Sequence, residues 1–188
     1  FRGKPSLAGE QDYQTIDSLY RLYQPYVMNI SAYKPMYFLI GADPEDSKFQ
    51  ISFKYRLFNQ EASLTRIQPW VSGFHLAYTQ TSFWDLASNS APFSDTSYKP
   101  EIFWQSENLI SEHMGPLQGV FFQGGYQHHS NGRGGDLSKS SNYLYLRPSF
   151  VFYDSNSSFG MAITPKVWTY IFNDDDTNAD LDDYQGYF

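Results

Sequence analysis

The feature that most constrains this sequence is a two-residue alternation between apolar and polar side chains. In KFQISFKYRLF (48–58), the apolar face carries Phe49, Ile51, Phe53, Tyr55 and Leu57, and the polar face carries Gln50, Ser52, Lys54 and Arg56. Successive side chains of a β-strand point to opposite faces, so this pattern predicts a strand with one apolar face. The longest apolar run, MYFLIGA (36–42), is far shorter than the ~18–20 residues of a membrane-spanning helix. The pattern therefore argues against membrane helices but allows a membrane barrel built of strands.

Composition agrees with a sheet-rich domain. Aromatic residues make up 19% of the 188 residues, and Tyr and Phe favour half-buried pleated surfaces. The mean hydropathy is nevertheless −0.51, because polar residues recur at close intervals. The net charge of −7 argues against a nucleic-acid partner. Cysteine is absent, so disulfides contribute nothing to stability.

The remaining strands follow from the same alternation and from turn residues. We predict strands near 36–41, 48–58, 70–84, 99–110, 119–130, 142–153 and 159–172, with no helix of useful length. Six or seven strands joined by alternating short and long connections indicate an antiparallel up-and-down sheet. Residues 1–19 are polar and lack the apolar segment of a signal peptide, and we predict a mobile arm there. Residues 20–188 form the β-domain, with an acidic loop at 173–183.

One segment places polar residues on an apolar face. His128 and Ser130 share a face with Phe122 and other apolar residues, whereas His129 points the opposite way. Asn142 begins an apolar face on the returning strand. If the two strands pair, His128, Ser130 and Asn142 converge at one end of the sheet. Side-chain parity alone leaves open whether that face is a soluble core or the outer wall of a membrane barrel.

These three residue types suit nucleophilic catalysis. Same-face neighbours on a strand lie ~6.5–7 Å apart at Cα, so His128 can reach the Ser130 hydroxyl and accept its proton. Asn142 can orient the imidazole, and backbone N–H groups at Asn131 and Gly132 can stabilise an oxyanion. The alternative is that these polar residues only satisfy a hairpin. A zinc site at His128 and the adjacent histidine is disfavoured, because consecutive strand side chains diverge.

Three stretches resemble the outer membrane phospholipase A family of Gram-negative bacteria. They are YTQTSFWDLAS (78–88), SAPFSDTSYKPEIF (90–103) and GYQHHSNGRGGDLSKSSN (125–142), the last with H-x-S-N-G-R followed by S-x-S-x-N. The resemblance implies a twelve-stranded antiparallel transmembrane β-barrel, of which this chain covers part and lacks the C-terminal portion. It also implies calcium-dependent hydrolysis of phospholipid acyl esters (phospholipase A1/A2 and lysophospholipase activity) by an active homodimer. The active site would face the outer leaflet of the outer membrane.

The resemblance carries over to individual positions. It implies His128 as general base, Ser130 as nucleophile, Asn142 as the residue that orients the histidine, and Gly132 as the oxyanion-hole amide. The implied calcium ligands are the backbone carbonyl of Arg133, the hydroxyl of Ser138 and Ser90 of the partner subunit.

Two further positions concern the dimer interface and the calcium site. Gln80 matches the glutamine of the family's dimer interface, where it would lie in the membrane, although a residue at the membrane edge that reaches headgroups is the alternative. Where the family often has an acidic residue after the motif, this chain has Gly135, with Asp136 one step later. A contribution of Asp136 to calcium binding therefore does not follow from the motif.

Two other classes of function remain open on the sequence. One is a catalytically silent barrel such as a porin or adhesin scaffold, and the other is a soluble β-barrel that binds a lipid. Lipid hydrolysis that disappears in Ser130→Ala and on calcium chelation distinguishes the enzyme from both.

Overall fold

The structure, a computed structural model, describes residues 16–42, 46–112, 115–154 and 159–172. Its strands are β1 (Ile30–Ala32), β2 (Tyr37–Leu39), β3 (Ser47–Arg56), β4 (Phe74–Trp84), β5 (Phe93–Gln105), β6 (Leu117–Ser130), β7 (Ser140–Asp154), β8 (Phe159–Ile163) and β9 (Val167–Tyr170). The helices are α1 (Ile16–Val27) and α2 (Ser63–Ile67), with 3-10 turns at Pro69–Gly73 and Gly135–Leu137. No helix in these ranges is long and apolar enough to cross a membrane.

All strands belong to one antiparallel sheet with the order β1-β3-β4-β5-β6-β7-β8. β2 also pairs with β3, and β9 also pairs with β7. Because β1 with β2 and β8 with β9 each occupy one row, nine strands form seven rows. The predicted all-β antiparallel class is therefore confirmed. The described residues contain nine strands rather than six or seven, because β1 lies before the first predicted strand and the predicted strand 159–172 is divided into β8 and β9.

The connections β4–β5 and β6–β7 lie at the same end of the sheet, which we call the upper end. Trp84 ends β4 there, and its ring lies 5.4 Å from that of Phe93 and 6.2 Å from those of Phe38 and Phe49. At the lower end, the Trp70 and Phe74 rings are 5.8 Å apart. Aromatic clusters thus lie at both ends of an apolar face, as the sequence predicts for β4.

The apolar faces of the strands point outward. Ile51, Leu76 and Leu144 are 46–47% exposed, whereas Thr79 and Gln127 on the opposite face are 1% and 3% exposed. A soluble core would show the reverse burial. The structure therefore answers the question that side-chain parity left open: the apolar face is the outer wall of a curled sheet.

A polar network on the inner face explains that orientation. The Glu101 carboxylate, in a residue that is 5% exposed, lies 3.3 Å from Lys34 Nζ and accepts hydrogen bonds from Tyr33 and Tyr145. Gln123 Nε2 donates to the Tyr145 hydroxyl at 2.7 Å. Polar groups buried in low dielectric need such partners, so the network holds the polar face inside.

The sequence interpretation was wrong at three further places. Residues 16–27 form α1, which includes the end of the predicted arm. The apolar residues of this segment have helical spacing, although Pro25 interrupts it: they are Ile16, Leu19, Tyr20, Tyr23 and Val27. Residues 69–73 form a 3-10 turn rather than the start of β4, with Pro69 at its first position. β5 begins at Phe93 instead of 99, because pairing with β4 extends through a segment without alternation. Residues 1–15 of the arm, the acidic loop and His113 lie outside the described residues.

Candidate active site

Two of the predicted catalytic residues meet across β6 and β7. His128 and Asn142 are directly opposite in the register, and His128 Nδ1 lies 2.8 Å from Asn142 Oδ1. Both side chains are on the outer face and are half-buried. The pairing predicted from parity is therefore present, at the upper end of the sheet.

Asn142 is held by two further contacts. The Tyr126 hydroxyl donates to Asn142 Oδ1 at 2.6 Å, and Asn142 Nδ2 donates to the Phe172 carbonyl at 3.2 Å. A carbonyl oxygen can only accept, so the amide nitrogen must face Phe172 and Oδ1 must face His128. His128 Nδ1 then carries the hydrogen, and its Nε2 presents a lone pair. This is the tautomer that a general base requires.

Ser130 is the last residue of β6, one same-face step beyond His128. Its Cα pairs with Ser140 on β7 and with Tyr98 on β5, and its side chain is half-buried on the outer face. The Cα atoms of His128 and Ser130 are thus ~6.5–7 Å apart. A base and a hydroxyl on this spacing can exchange a proton.

His75, for which the sequence indicates no function, lies on the inner face away from these residues. It is 5% exposed, its ring stacks on Phe103 at 5.1 Å, and Nδ1 is 2.7 Å from the Gly73 carbonyl. Its contacts are those of a packed structural residue.

The loop after Ser130 is shaped by Gly132 and Asn131. Gly132 has a φ of +67°, and a Cβ there would lie 2.5 Å from the Tyr98 ring. Asn131 Oδ1 accepts from the amides of Arg133 (3.2 Å) and Lys139 (3.1 Å). Asn131 therefore ties the two ends of the loop together, a side-chain role that sequence reasoning missed although asparagine commonly bonds to the backbone in turns.

Two predicted calcium ligands lie in the same loop. The Arg133 guanidinium donates to the Ser94 carbonyl at 2.9 Å and lies 3.7 Å from the exposed Asp95 carboxylate. These contacts anchor the loop to the start of β5. Among the described residues, no hydrogen bond uses the Arg133 carbonyl oxygen or the Ser138 hydroxyl.

Ser90, the third predicted ligand, lies in the β4–β5 connection at the upper end. It is exposed and has a φ of 70°. The connection is ordered by Asp85, whose carboxylate accepts from the Ser88 hydroxyl and amide, and these hydrogen bonds lower the pKa of the Asp85 carboxyl. Trp84 Nε1 also donates to the Ala91 carbonyl at 2.7 Å.

Carboxylates and histidines do not form a metal site in the part of the chain that the structure describes: no three of His, Cys, Asp and Glu are grouped to hold an ion. The carboxylates of Asp85 and Asp95, at the upper end within the described ranges, contact Ser88 and Arg133. The Asp136 side chain is outside these ranges.

Gln80 lies on the outer face near the middle of β4. Its Oε1 accepts from the Tyr78 hydroxyl at 3.0 Å, and its Nε2 donates to Ser82 Oγ at 3.1 Å. Trp84, in the upper aromatic cluster, is four residues away, about 13 Å along a strand. Gln80 therefore lies within the apolar face rather than at its edge.

An apolar groove of about 710 Å³ lies on the outer wall, lined by Tyr126 and Leu144, which precede His128 and follow Asn142 by one same-face step. Its walls include Ile102, Trp104, Tyr126, Leu144, Leu146 and Val167. Gly124 leaves the centre open, and a Cβ there would lie 3.2 Å from Leu146 Cδ2. Tyr126 thus contacts both the groove and, through its hydroxyl, the His128–Asn142 pair.

Comparison with known proteins identifies the family. The family model described as phospholipase A1 matches residues 24–188. Phospholipase A1 of Proteus vulgaris is 30% identical over 150 residues, covering 79% of this chain and 47% of that protein. The chain thus spans about half the length of the curated relatives that it matches.

Solved structures agree. The Salmonella typhi outer membrane phospholipase, a dimer with bound calcium, superposes with a TM-score of 0.54 at 28% identity, over 76% of this chain and 50% of that one. An active-site mutant of Escherichia coli outer membrane phospholipase A, in which alanine replaces an asparagine, gives a TM-score of 0.55 at 27% identity, over 76% and 50% of the two chains. The resemblance inferred from the three sequence stretches is confirmed, and the chain belongs to the phospholipase A1 family.

Proposed function

We propose that the protein is a calcium-dependent outer membrane phospholipase that hydrolyses acyl ester bonds of phospholipids, with phospholipase A1/A2 and lysophospholipase activity. The observation that carries this proposal is the 2.8 Å contact between His128 Nδ1 and Asn142 Oδ1 on the outer, apolar wall, one step from Ser130. A base, a hydroxyl and an orienting amide lie together on a lipid-facing surface. Action on a lipid substrate explains why these polar groups lie there.

The chemistry follows from the arrangement. His128 Nε2 removes the Ser130 proton as Oγ attacks the ester carbonyl, and Asn142 holds the resulting imidazolium through its Nδ1–H. The backbone amide at Gly132 is the candidate donor to the oxyanion. The imidazolium then protonates the departing lysophospholipid alkoxide. Water, activated by the same imidazole, cleaves the acyl-serine ester and releases the fatty acid.

The upper loops fit a calcium ion. Calcium prefers oxygen ligands, and the Arg133 carbonyl and Ser138 hydroxyl are neutral oxygens in one loop, with Ser90 of the partner subunit as the third donor. When bound, calcium would polarise the ester or a water next to the oxyanion. Because these donors are neutral, the affinity for calcium would be modest. Because one of them comes from the partner subunit, activity would depend on the dimer.

The groove supports a lipid substrate. An acyl chain lying along Leu144 and Leu146 would place its ester near Tyr126 and Ser130, with the glycerol and headgroup toward the upper end. The exposed apolar wall and the aromatic clusters at both ends suit the bilayer and its interfaces, which supports the outer membrane as the location. We place the active site at the outer leaflet.

Dimerisation would bring two outer walls together. Gln80 is already bonded to Tyr78 and Ser82, yet these partners share its face and leave further donor and acceptor capacity. A glutamine within an apolar wall can hydrogen-bond across a two-fold axis, because both copies present the same surface.

The test is lipid hydrolysis by the full-length protein in detergent micelles, with calcium and with a chelator. Ser130→Ala should abolish hydrolysis, and chelation should abolish it in the wild type. Ser94→Ala is the matched control, since that side chain lies exposed at the same end and the hydrogen bond from Arg133 is to the backbone carbonyl, which alanine keeps. Activity retained in Ser130→Ala would refute the proposed nucleophile, whereas no hydrolysis by the wild type with calcium present would favour a silent barrel.

A further inference from the structure

We propose that Tyr126 is a positioning residue whose hydroxyl orients Asn142 and so selects the reactive tautomer of His128. The proposal rests on the proposed function, because it assigns a role within that same site. Its geometric basis is that one oxygen, Asn142 Oδ1, accepts from both Tyr126 (2.6 Å) and His128 (2.8 Å).

The position of Tyr126 in the sheet makes this contact possible. Tyr126 precedes His128 by one same-face step on β6, and its Cα partners are Leu144 on β7 and Ile102 on β5. Its ring is half-buried in the apolar groove, while its hydroxyl reaches upward to Asn142. A tyrosine in an apolar site normally finds a partner for its hydroxyl, and here the partner is the catalytic amide.

The hydroxyl matters because an asparagine amide can rotate between two orientations. The terminal torsion of asparagine is broad and roughly two-fold, so it is the hydrogen bonds that decide which atom faces His128. If the amide turned, Nδ2 would face the imidazole and His128 Nδ1 would have to accept. The hydrogen would then sit on Nε2, and the histidine could not accept the Ser130 proton.

Two neighbours enforce the productive orientation from opposite sides. The Phe172 carbonyl requires a donor, and the Tyr126 hydroxyl donates to the oxygen. Removal of the hydroxyl takes away this donor to Oδ1, while the longer Phe172 contact at 3.2 Å remains. From the usual worth of one hydrogen bond, we expect a loss of about two- to tenfold in kcat.

Tyr126 also lines the groove, and the two roles predict different kinetics. A wall residue affects binding of the acyl chain and therefore KM, whereas a positioning residue affects kcat. Tyr126→Phe keeps the ring and removes only the hydroxyl. Leu146→Ala, lower in the same groove, is the matched control and should raise KM with little change in kcat.

The experiment measures kcat and KM of the full-length protein in calcium-containing micelles, together with ¹⁵N NMR shifts of the ring nitrogens of His128. Tyr126→Phe should lower kcat at nearly constant KM and shift population toward the Nε2–H tautomer. In an Asn142→Ala background it should have no further effect on kcat. An unchanged kcat with unchanged ring shifts would overturn the positioning role.

The failure of this proposal is distinguishable from the failure of the proposed function. If Ser130→Ala is inactive while Tyr126→Phe equals the wild type in kcat and ring shifts, the enzyme stands and the role of Tyr126 is refuted. If Ser130→Ala retains activity, the proposed nucleophile is refuted, and unchanged ring shifts in Tyr126→Phe are then what would refute the role of Tyr126.

Discussion

The glycines of the upper loop allow one prediction to be worked from the structure. Gly132 has a φ of +67° and a Cβ position 2.5 Å from Tyr98 Cε2. Gly135 has a φ of +60°, but nothing lies within 4 Å of its Cβ position. Gly134 has a φ of −111° and also open space. Alanine at these three positions therefore separates backbone strain from steric collision.

Gly134→Ala should be neutral or stabilise slightly, by up to about 1 kcal/mol, because alanine restricts the unfolded chain. Gly135→Ala should destabilise by about 1–2 kcal/mol, the cost of the left-handed conformation for a residue with a Cβ. Gly132→Ala incurs the same strain and must also displace the Tyr98 ring or the loop. Its unfolding midpoint in detergent should therefore be the lowest of the three.

The loss of activity should depend on the steric collision with Tyr98 rather than on the backbone strain of the left-handed conformation. Displacement of the candidate oxyanion donor by about 1 Å can cost on the order of 100-fold in kcat. We expect Gly132→Ala to lose about 10- to 100-fold in kcat in the micelle assay, and Gly134→Ala to match the wild type. If Gly132→Ala retains wild-type kcat, the amide at this position does not bind the oxyanion.

Two further predictions concern the inner network and the upper loop. Glu101→Gln should destabilise the folded protein by about 1.5–3 kcal/mol, because a neutral amide replaces the buried carboxylate that accepts from the Tyr33 and Tyr145 hydroxyls. KM should be unchanged, and an unaltered thermal unfolding midpoint would contradict this. Arg133→Lys keeps the backbone carbonyl but loses the fixed guanidinium contact to Ser94. The calcium concentration for half-maximal activity should therefore rise several-fold, while kcat at saturating calcium is maintained. Arg66→Lys, on α2 at the lower end, is the control, and an equal calcium response in both variants would refute the anchoring role.

The part of the site that was predictable depended on local patterns. His128 and Ser130 share a face because side chains alternate along a strand, and Asn142 joins them when the hairpin pairs in the register that the apolar faces favour. Tyr126 and Asn131 were missed, although both lie in the same motif. In the sequence, Tyr126 has the pattern of any residue of the apolar face. Only the structure shows that its hydroxyl contacts the Asn142 amide.

That each strand has one apolar and one polar face can be predicted from the sequence alone, since this property depends only on neighbouring residues. Tertiary structure sets which face points outward, because the buried network around Glu101 joins residues from distant strands. It also decided the orientation of Asn142, which Phe172 reaches only through the pairing of β9 with β7. Contacts between residues far apart in the chain depend on strand register and on where the loops end. Neither can be read from the local periodicity of the sequence.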